Sequence, residues 1–331
     1  MKTIGFFNNM GGVGKTTLVY HIAWMLAEFG QRVVAVDLDP QANLSSMFLE
    51  EERLEEIWTA SPAPTIDGVV APRFLGTGAI LPPVLEDINQ RLGLIVGDLG
   101  LSRREDALSA AWPNCAIGDL RAFGEMSSFA QTVAAAGAMF DADVALLDVG
   151  PNLGALNRTV LLGCDFVVVP LGADLFSLQG LRNMGPTLRL WRETWDRNKV
   201  RCTDPNLATL LPRGTMTPAG YVVMRHSVTA GRPARAYSRW IARMPAQYRE
   251  YILDKPPIAE TSVDNDPNCL AVLKDYRSLM PLAQEARKPM FALRPGDGAF
   301  GGHQAAVADC WRDFRRLTER IMEACSMPLR P

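Results

Sequence analysis

Asn8-Asn9-Met10-Gly11-Gly12-Val13-Gly14-Lys15-Thr16-Thr17 is the stretch that decides the fold. An apolar segment, residues 3–7, precedes it and reads as a strand. A segment over residues 16–29 follows, in which Leu18, Ile22, Met25 and Phe29 recur at helical spacing. That spacing predicts a helix with one apolar stripe to lay on a sheet. The glycines therefore sit between a strand and a helix N-terminus, where unpaired backbone N–H groups and the helix dipole converge on an anion. Phosphate is the natural occupant.

Glycine lets the main chain approach phosphate oxygens closely, the Lys15 ammonium can reach between β and γ phosphates, and the Thr16 hydroxyl suits Mg²⁺. The bland alternative is a glycine-rich turn carrying a solvated lysine. Agreement between the preceding strand, the Gly-Lys-Thr-Thr ending and the amphipathic helix favours the phosphate loop. The common pattern G-x-x-x-x-G-K-[ST] would require glycine at position 9, where Asn9 stands.

Working outward, residues 32–36 read as a second strand, with Val33 to Val36 continuously apolar as in a parallel strand covered on both faces. Two acids follow, Asp37 and Asp39, at the strand end where open α/β sheets bind ligands. Taken alone, Asp39-Pro40-Gln41-Ala42-Asn43 could equally be a capped turn. Residues 144–147 form another apolar strand, ending in Asp148, the arrangement that holds Mg²⁺ through its water shell. Further strands are expected at 94–96, 164–169, 221–224 and, weakly, 289–292. Helices are expected near 51–58, at 119–140 and at 178–198. This alternation predicts an α/β fold: a doubly wound, mostly parallel sheet with helices on both faces. One domain over residues 1–331 is expected, with 50–92, read as a helical excursion, and 200–219 as insertions or variable regions.

The chain has 331 residues, 48% hydrophobic and 21% charged, near ordinary globular values. Its six cysteines are scattered without a C-x-x-C pair, so neither a zinc site nor a disulfide framework is indicated, and a reducing cytoplasm suits them. The start runs directly into the first strand, leaving no room for a signal peptide, and no apolar run is long enough to span a bilayer. Three histidines and no triad-like grouping leave covalent hydrolase chemistry without support.

The phosphate loop resembles the deviant loop of the ParA/MinD family, K-G-G-x-G-K-T-[ST]. Residues 37–43 are similar to that family's D-x-D-P-Q-[GA]-N switch I, and residues 148–154 to its D-x-P-P-x-[LG]-G switch II, with Gly150 replacing the first proline. The resemblance continues through residues 168–181 and the tail 286–291, covering nearly the whole chain. It implies an ATP- and Mg²⁺-dependent ATPase that sandwiches nucleotide between two subunits and acts in DNA partitioning or intracellular positioning with an activating, ParB-like partner. It further implies that Asn9, Met10, Gly11, Gly12, Val13, Gly14, Lys15, Thr16 and Thr17 bind nucleotide. Lys15 and Asp39 would be catalytic, and Thr16, Asp37, Asp39 and Asp148 would surround the metal. The family's signature lysine, which reaches the partner subunit's phosphates, falls at Met10. That departure opens a second reading, an ATP-gated binding switch with little hydrolysis that recruits a protein partner.

Residues 205–249 contain seven arginines and no Asp, Glu or Lys. Arg235, Arg239 and Arg243 repeat every four residues, opposite Tyr237, Trp240, Ile241, Met244 and Tyr248, which predicts one helix with a basic face and a buried one. Such a stripe suits nonspecific contact with DNA phosphates, although a charged stripe is more often a solvated face. The final residues, 326–331, cannot make an amphipathic membrane anchor, so membrane recruitment is not expected.

Overall fold

Residues 1–224, 234–276 and 278–328 are described by the structure, a computed structural model, with the side chains of 234–237 excepted. The first unit is β1 (Lys2–Phe6), α1 (Lys15–Glu28) and β2 (Val33–Leu38). Six and eight residues past β1, the chain turns through Gly12 and Gly14, whose φ values of 74° and 85° lie in the left-handed region that costs glycine nothing. Helix α1 starts immediately after Gly14, so its free N–H groups face the loop.

Beyond β2 come α2 (Asn43–Phe48), α3 (Glu51–Thr59) and α4 (Ile66–Leu75), then a hairpin of β3 (Glu86–Asn89) and β4 (Leu92–Ile95). The expected helical excursion is thus helical only in part. Its end pairs antiparallel with β4 and forms a sheet edge. Helices α5 (Arg104–Cys115) and α6 (Leu120–Phe140) lead to β5 (Val144–Val149), α7 (Ala155–Leu162), β6 (Phe166–Gly172) and α8 (Leu175–Lys199). Next are α9 (Pro205–Leu210), β7 (Thr217–Met224), α10 (Ala234–Ile241), α11 (Met244–Gln247), β8 (Cys269–Leu273), α12 (Met280–Ala286) and α13 (Gly302–Ala324). The second variable stretch, 200–219, therefore ends inside β7.

Eight strands form one sheet in the order β3-β4-β2-β5-β1-β6-β7-β8, parallel except for β3. Alternate side chains of each central strand feed opposite layers. Ile4, Phe6, Val33, Ala35, Val144 and Leu146 pack with α1 and α13. Val34, Val36, Leu38, Ala145, Leu147 and Val149 pack with α6, α7 and α8. Burying each of the valine, leucine, isoleucine and phenylalanine side chains among them contributes roughly 1.5–3 kcal/mol, which is why near-continuous apolar runs mark strands covered on both faces.

Residues 289–292 are not a strand. Pro289 has no N–H to give a ladder, and the Met290 N–H is taken by His21 Nε2 at 3.0 Å. The segment makes a short 3₁₀ turn, Met290–Ala292, that buries Met290 and Phe291 near Phe314. An apolar run need not be a strand when a turn can bury it as well.

The single helix expected over the arginine stripe is broken too. Helix α10 ends at Ile241, a turn intervenes, and α11 restarts at Met244 with Pro245 in its first turn, where a missing N–H is harmless. Arg239 lies on α10 and Arg243 on the turn; Arg235 is on α10, but its side chain and Tyr237's are outside the described residues. Trp240 is half-buried rather than fully covered. The Arg239 and Arg243 guanidiniums lie over its ring at 4.3 and 5.5 Å, so the aromatic and basic groups share a surface.

Candidate functional site

Strand order brings the motif residues together. Because β5 lies between β2 and β1, Asp148 is the register partner of both Phe6 and Asp37, and all three strands end at the phosphate loop. Lys15, at the start of α1, is buried and donates to the Met10 carbonyl oxygen at 2.9 Å. Burial lowers its pKa, while the Asp148 and Asp39 carboxylates oppose that shift. Asn8 clamps the loop from beneath. Its buried side-chain amide donates to Pro170 O at 2.6 Å, and its Oδ1 accepts the Met10 N–H at 2.9 Å.

Asp37 and Asp148 are both fully buried but differ in what they touch. Asp37 Oδ2 accepts the Ser45 N–H at 2.8 Å and the Ser45 hydroxyl at 2.7 Å, which ties the switch-like turn to the start of α2. Burial raises its pKa to about 6 against the pull of these Ser45 bonds. Asp148 has no such support: among the described residues neither of its oxygens finds a hydrogen bond of normal geometry, although the Thr16 hydroxyl is near enough to favour the charged form. Burial first, then Asp37, raises the Asp148 pKa to about 8. A buried carboxylate without partners carries a desolvation penalty that a cation would relieve.

Asp39 is nearly buried and accepts the Gln41 N–H at 3.0 Å, which holds the turn that the sequence also allowed. It faces the segment after β5: a Cβ placed on Gly150 would lie 3.5 Å from Asp39 Oδ1, and one on Gly11 would lie 3.9 Å from Pro151. The Asn157 side-chain amide secures that segment by donating to Gly150 O and Asn152 O, both at 2.8 Å. Thus the loop, both acid turns and the Thr16–Thr17 helix start share one end of the sheet. Among the described residues, no three His, Cys, Asp or Glu side chains form a metal-holding set.

Beside Gly14 and Thr17 opens a cavity of about 180 Å³, lined mainly by apolar atoms of Met224, Leu273, Tyr276, Met280, Met290 and Phe314. Larger hollows, of about 280, 310 and 670 Å³, lie elsewhere and are lined by neither Lys15 nor Asp37, Asp39 or Asp148, so size alone does not mark the site. Asn8, Ser45, Glu105, Asn157 and His21 shape this region without having stood out in the sequence. Only Asn8, adjoining the glycine loop, carried a local hint.

A phosphate-loop fold with acids at the ends of two neighbouring strands defines the class: a P-loop nucleoside-triphosphatase architecture. The AAA domain family matches residues 1–201, more than half of the chain, and the chain belongs to that family, as a ParA/MinD-type P-loop member. It is 32% identical over 189 residues to the protein IncC of Escherichia coli, a match covering 57% of this chain and 46% of IncC. It is 30% identical over 189 residues to the chromosome-partitioning ATPase Soj of Thermus thermophilus, covering 57% of this chain and 61% of Soj. The chain thus spans about half the length of IncC and somewhat more of Soj. Among solved structures, protein DIP2308 from Corynebacterium diphtheriae aligns with a TM-score of 0.73 and 26% identity, covering 98% of both chains. The Cyanothece McdA complex with ATP aligns with a TM-score of 0.62 at 16% identity, covering 100% of this chain and 98% of that one, a likeness of fold. Among the described residues, no helix is long and apolar enough to cross a membrane.

Proposed function

We propose that this chain is a Mg²⁺-dependent ATPase that closes into a nucleotide-sandwich dimer and serves DNA partitioning or a related positioning task. The observation that carries the reading is the pairing of a buried Lys15, at the start of α1, with the buried Asp148 carboxylate, which among the described residues makes no hydrogen bond of normal geometry. Lys15 exchanges its bond to Met10 O for phosphate oxygens, and the amides of residues 11–17 surround the rest of the anion. Thr16 and Asp148 hold the cation, which when bound neutralises charge on the transferring phosphoryl group. Mg²⁺ keeps several waters and accepts few protein ligands, which suits the absence of a carboxylate cage among the described residues. Asp39 orients the attacking water, and Asp37, engaged with Ser45, supports the turn that carries it. The apolar cavity beside Gly14 accepts the base.

Leu175 and Phe176, 49% and 68% exposed at the start of α8, lie at the same sheet end as the loop. A second copy covering the nucleotide would bury them. Arg239 and Arg243 with Trp240 supply the DNA-facing candidate, together with Arg235 on the same segment. Soj of Thermus thermophilus is a chromosome-partitioning ATPase, and its likeness to this chain supports the partitioning role proposed here.

Met10, which brings no positive charge to the loop, supports a second reading, in which ATP is a long-lived ligand and function lies in recruiting a protein partner. Phosphate release at steady state separates the two, since turnover supports the ATPase and stable occupancy the switch. Sizing with and without ATP and Mg²⁺, then DNA binding on the same samples at two salt concentrations, tests the wider proposal. ATP-independent monomers with no salt-sensitive DNA binding would remove the partitioning role, and calorimetry showing no heat with Mg²⁺ and ATP would remove nucleotide binding.

A further inference from the structure

Glu105, on α5, lies far in sequence from every motif above, yet it braces the segment after β5. Its Oε1 accepts the Ala155 N–H at 2.5 Å and its Oε2 the Leu156 N–H at 2.9 Å. These are the first two amides of α7, which have no partner within their helix. The residue before them is Gly154, with no side chain to cap them. The cap therefore comes from another helix, and its negative charge suits the positive end of α7.

Helix α5 is itself held. Arg104, next to Glu105, makes a two-pronged pair with Asp67 of α4, at 2.6 and 2.9 Å. On the other side of Glu105, the loop 150–154 runs past Asp39 at Gly150 and past Gly11 at Pro151. Asn157 fastens that loop through Gly150 and Asn152; Glu105 fastens where it enters α7. One chain of contacts thus leads from α4, in the stretch read as variable, to the loop beside the phosphate site.

We propose that Glu105 is a positioning residue: by capping α7 from outside, it holds the loop 150–154 against Asp39 and the phosphate loop in the geometry hydrolysis needs. The kinetic half of this inference rests on the ATPase reading; the structural half rests on the contacts alone.

The test uses the full chain, as wild type, Glu105→Gln and Glu105→Ala. Glutamine keeps the shape but retains one acceptor oxygen, while alanine removes both. Three quantities are measured: backbone hydrogen exchange across residues 150–156, ATP affinity by calorimetry, and steady-state phosphate release. Exchange is expected to accelerate at least about tenfold in Glu105→Ala and less in Glu105→Gln, since opening of this segment loses its outer clamp. The turnover number is expected to fall about tenfold in Glu105→Ala with ATP affinity within about twofold, because misplacement affects chemistry more than binding. Unchanged exchange and turnover, with only a lower melting temperature, would overturn the proposal and leave an ordinary helix cap. If the wild type neither binds nor hydrolyses ATP, the ATPase reading fails separately, and exchange over 150–156 still decides whether Glu105 holds the loop.

Discussion

The Lys15 ammonium rests 2.9 Å from the carbonyl oxygen of Met10, so the phosphate loop closes on its own main chain. Met10 gives its N–H to Asn8 as well. Both backbone groups of Met10 are engaged, and neither bond involves its side chain.

Met10→Lys should therefore fold as the parent does. The added ammonium would supply the charge that the family pattern places here, strengthening interaction with charge that develops during phosphoryl transfer. Steady-state phosphate release is expected to rise at least about tenfold, with ATP affinity changing less. An equal rate in the two proteins would count against a turnover role for this position.

Asp148→Asn separates stability from function. The carboxylate is buried and, among the described residues, without a hydrogen bond of normal geometry, and its raised pKa means the folded protein resists its charge. A neutral amide of the same shape should stabilise the nucleotide-free protein at pH 8 by on the order of 2 kcal/mol, seen as a higher urea midpoint. Mg²⁺-dependent binding of ATP should weaken in the same protein. A lower midpoint would show that the charged acid is better accommodated than its surroundings suggest.

His21 predicts a pH dependence. Its Nδ1 lies 2.7 Å from Thr17 O and must donate, while Nε2 accepts the Met290 N–H; burial lowers its pKa from 6.5 to about 4. Protonation would turn Nε2 into a donor facing another donor. Between pH 6.5 and 4 the unfolded chain takes up the proton and the folded one does not. The contribution of neutral His21 is thus intact above pH 6.5 and is lost as pH falls to about 4, by up to about 3 kcal/mol. Asp37 and Asp148, with raised pKa values, tilt stability the other way, so the comparison is wild type against His21→Asn by denaturant titration at several pH values. A parallel pair of curves would refute the assignment.

Gly97→Ala should disturb the acid turn without touching it in sequence. A Cβ there would lie 2.8 Å from Asp37 Cγ and 2.9 Å from its Oδ2, so the buried carboxylate would have to shift against its two bonds from Ser45. A loss of roughly 1–3 kcal/mol in urea denaturation is expected. Gly12→Ala meets nothing within 4 Å among the described residues, so a loss there is expected from the strain of its φ of 74°. Equal stability of Gly97→Ala and wild type would show that the strand end can shift.

Much of the central sheet was legible because its strands are covered on both faces and read as unbroken apolar runs; Val33–Leu38 and Val144–Val149 emerged with only their ends displaced. The phosphate loop was legible because several independent local signals coincide there. Cys269–Leu273 was missed: five residues at the sheet edge, following irregular chain, leave too little pattern. The arginine repeat carried its helical spacing straight across the break at Arg243, since periodicity does not register a turn that preserves the phase. Glu105 and His21 were invisible for a different reason. The amides they accept from, Ala155 and Leu156 for Glu105 and Met290 for His21, lie far along the chain, and no local pattern marks a carboxylate or imidazole that meets a backbone amide of another element.

The placement of β5 between β1 and β2 has a bearing on how the protein is made. A nascent chain that has emerged only as far as β4 already holds the complete glycine loop, yet the two strands meant to flank β5 have a vacancy between them that nothing local can fill. Joining β1 to β2 must wait for a strand delivered by the long α6, a non-local pairing of the kind that slows folding and exposes strand edges meanwhile. A truncated product ending before β5 would carry every residue of the phosphate loop and still lack the socket that gives it purpose.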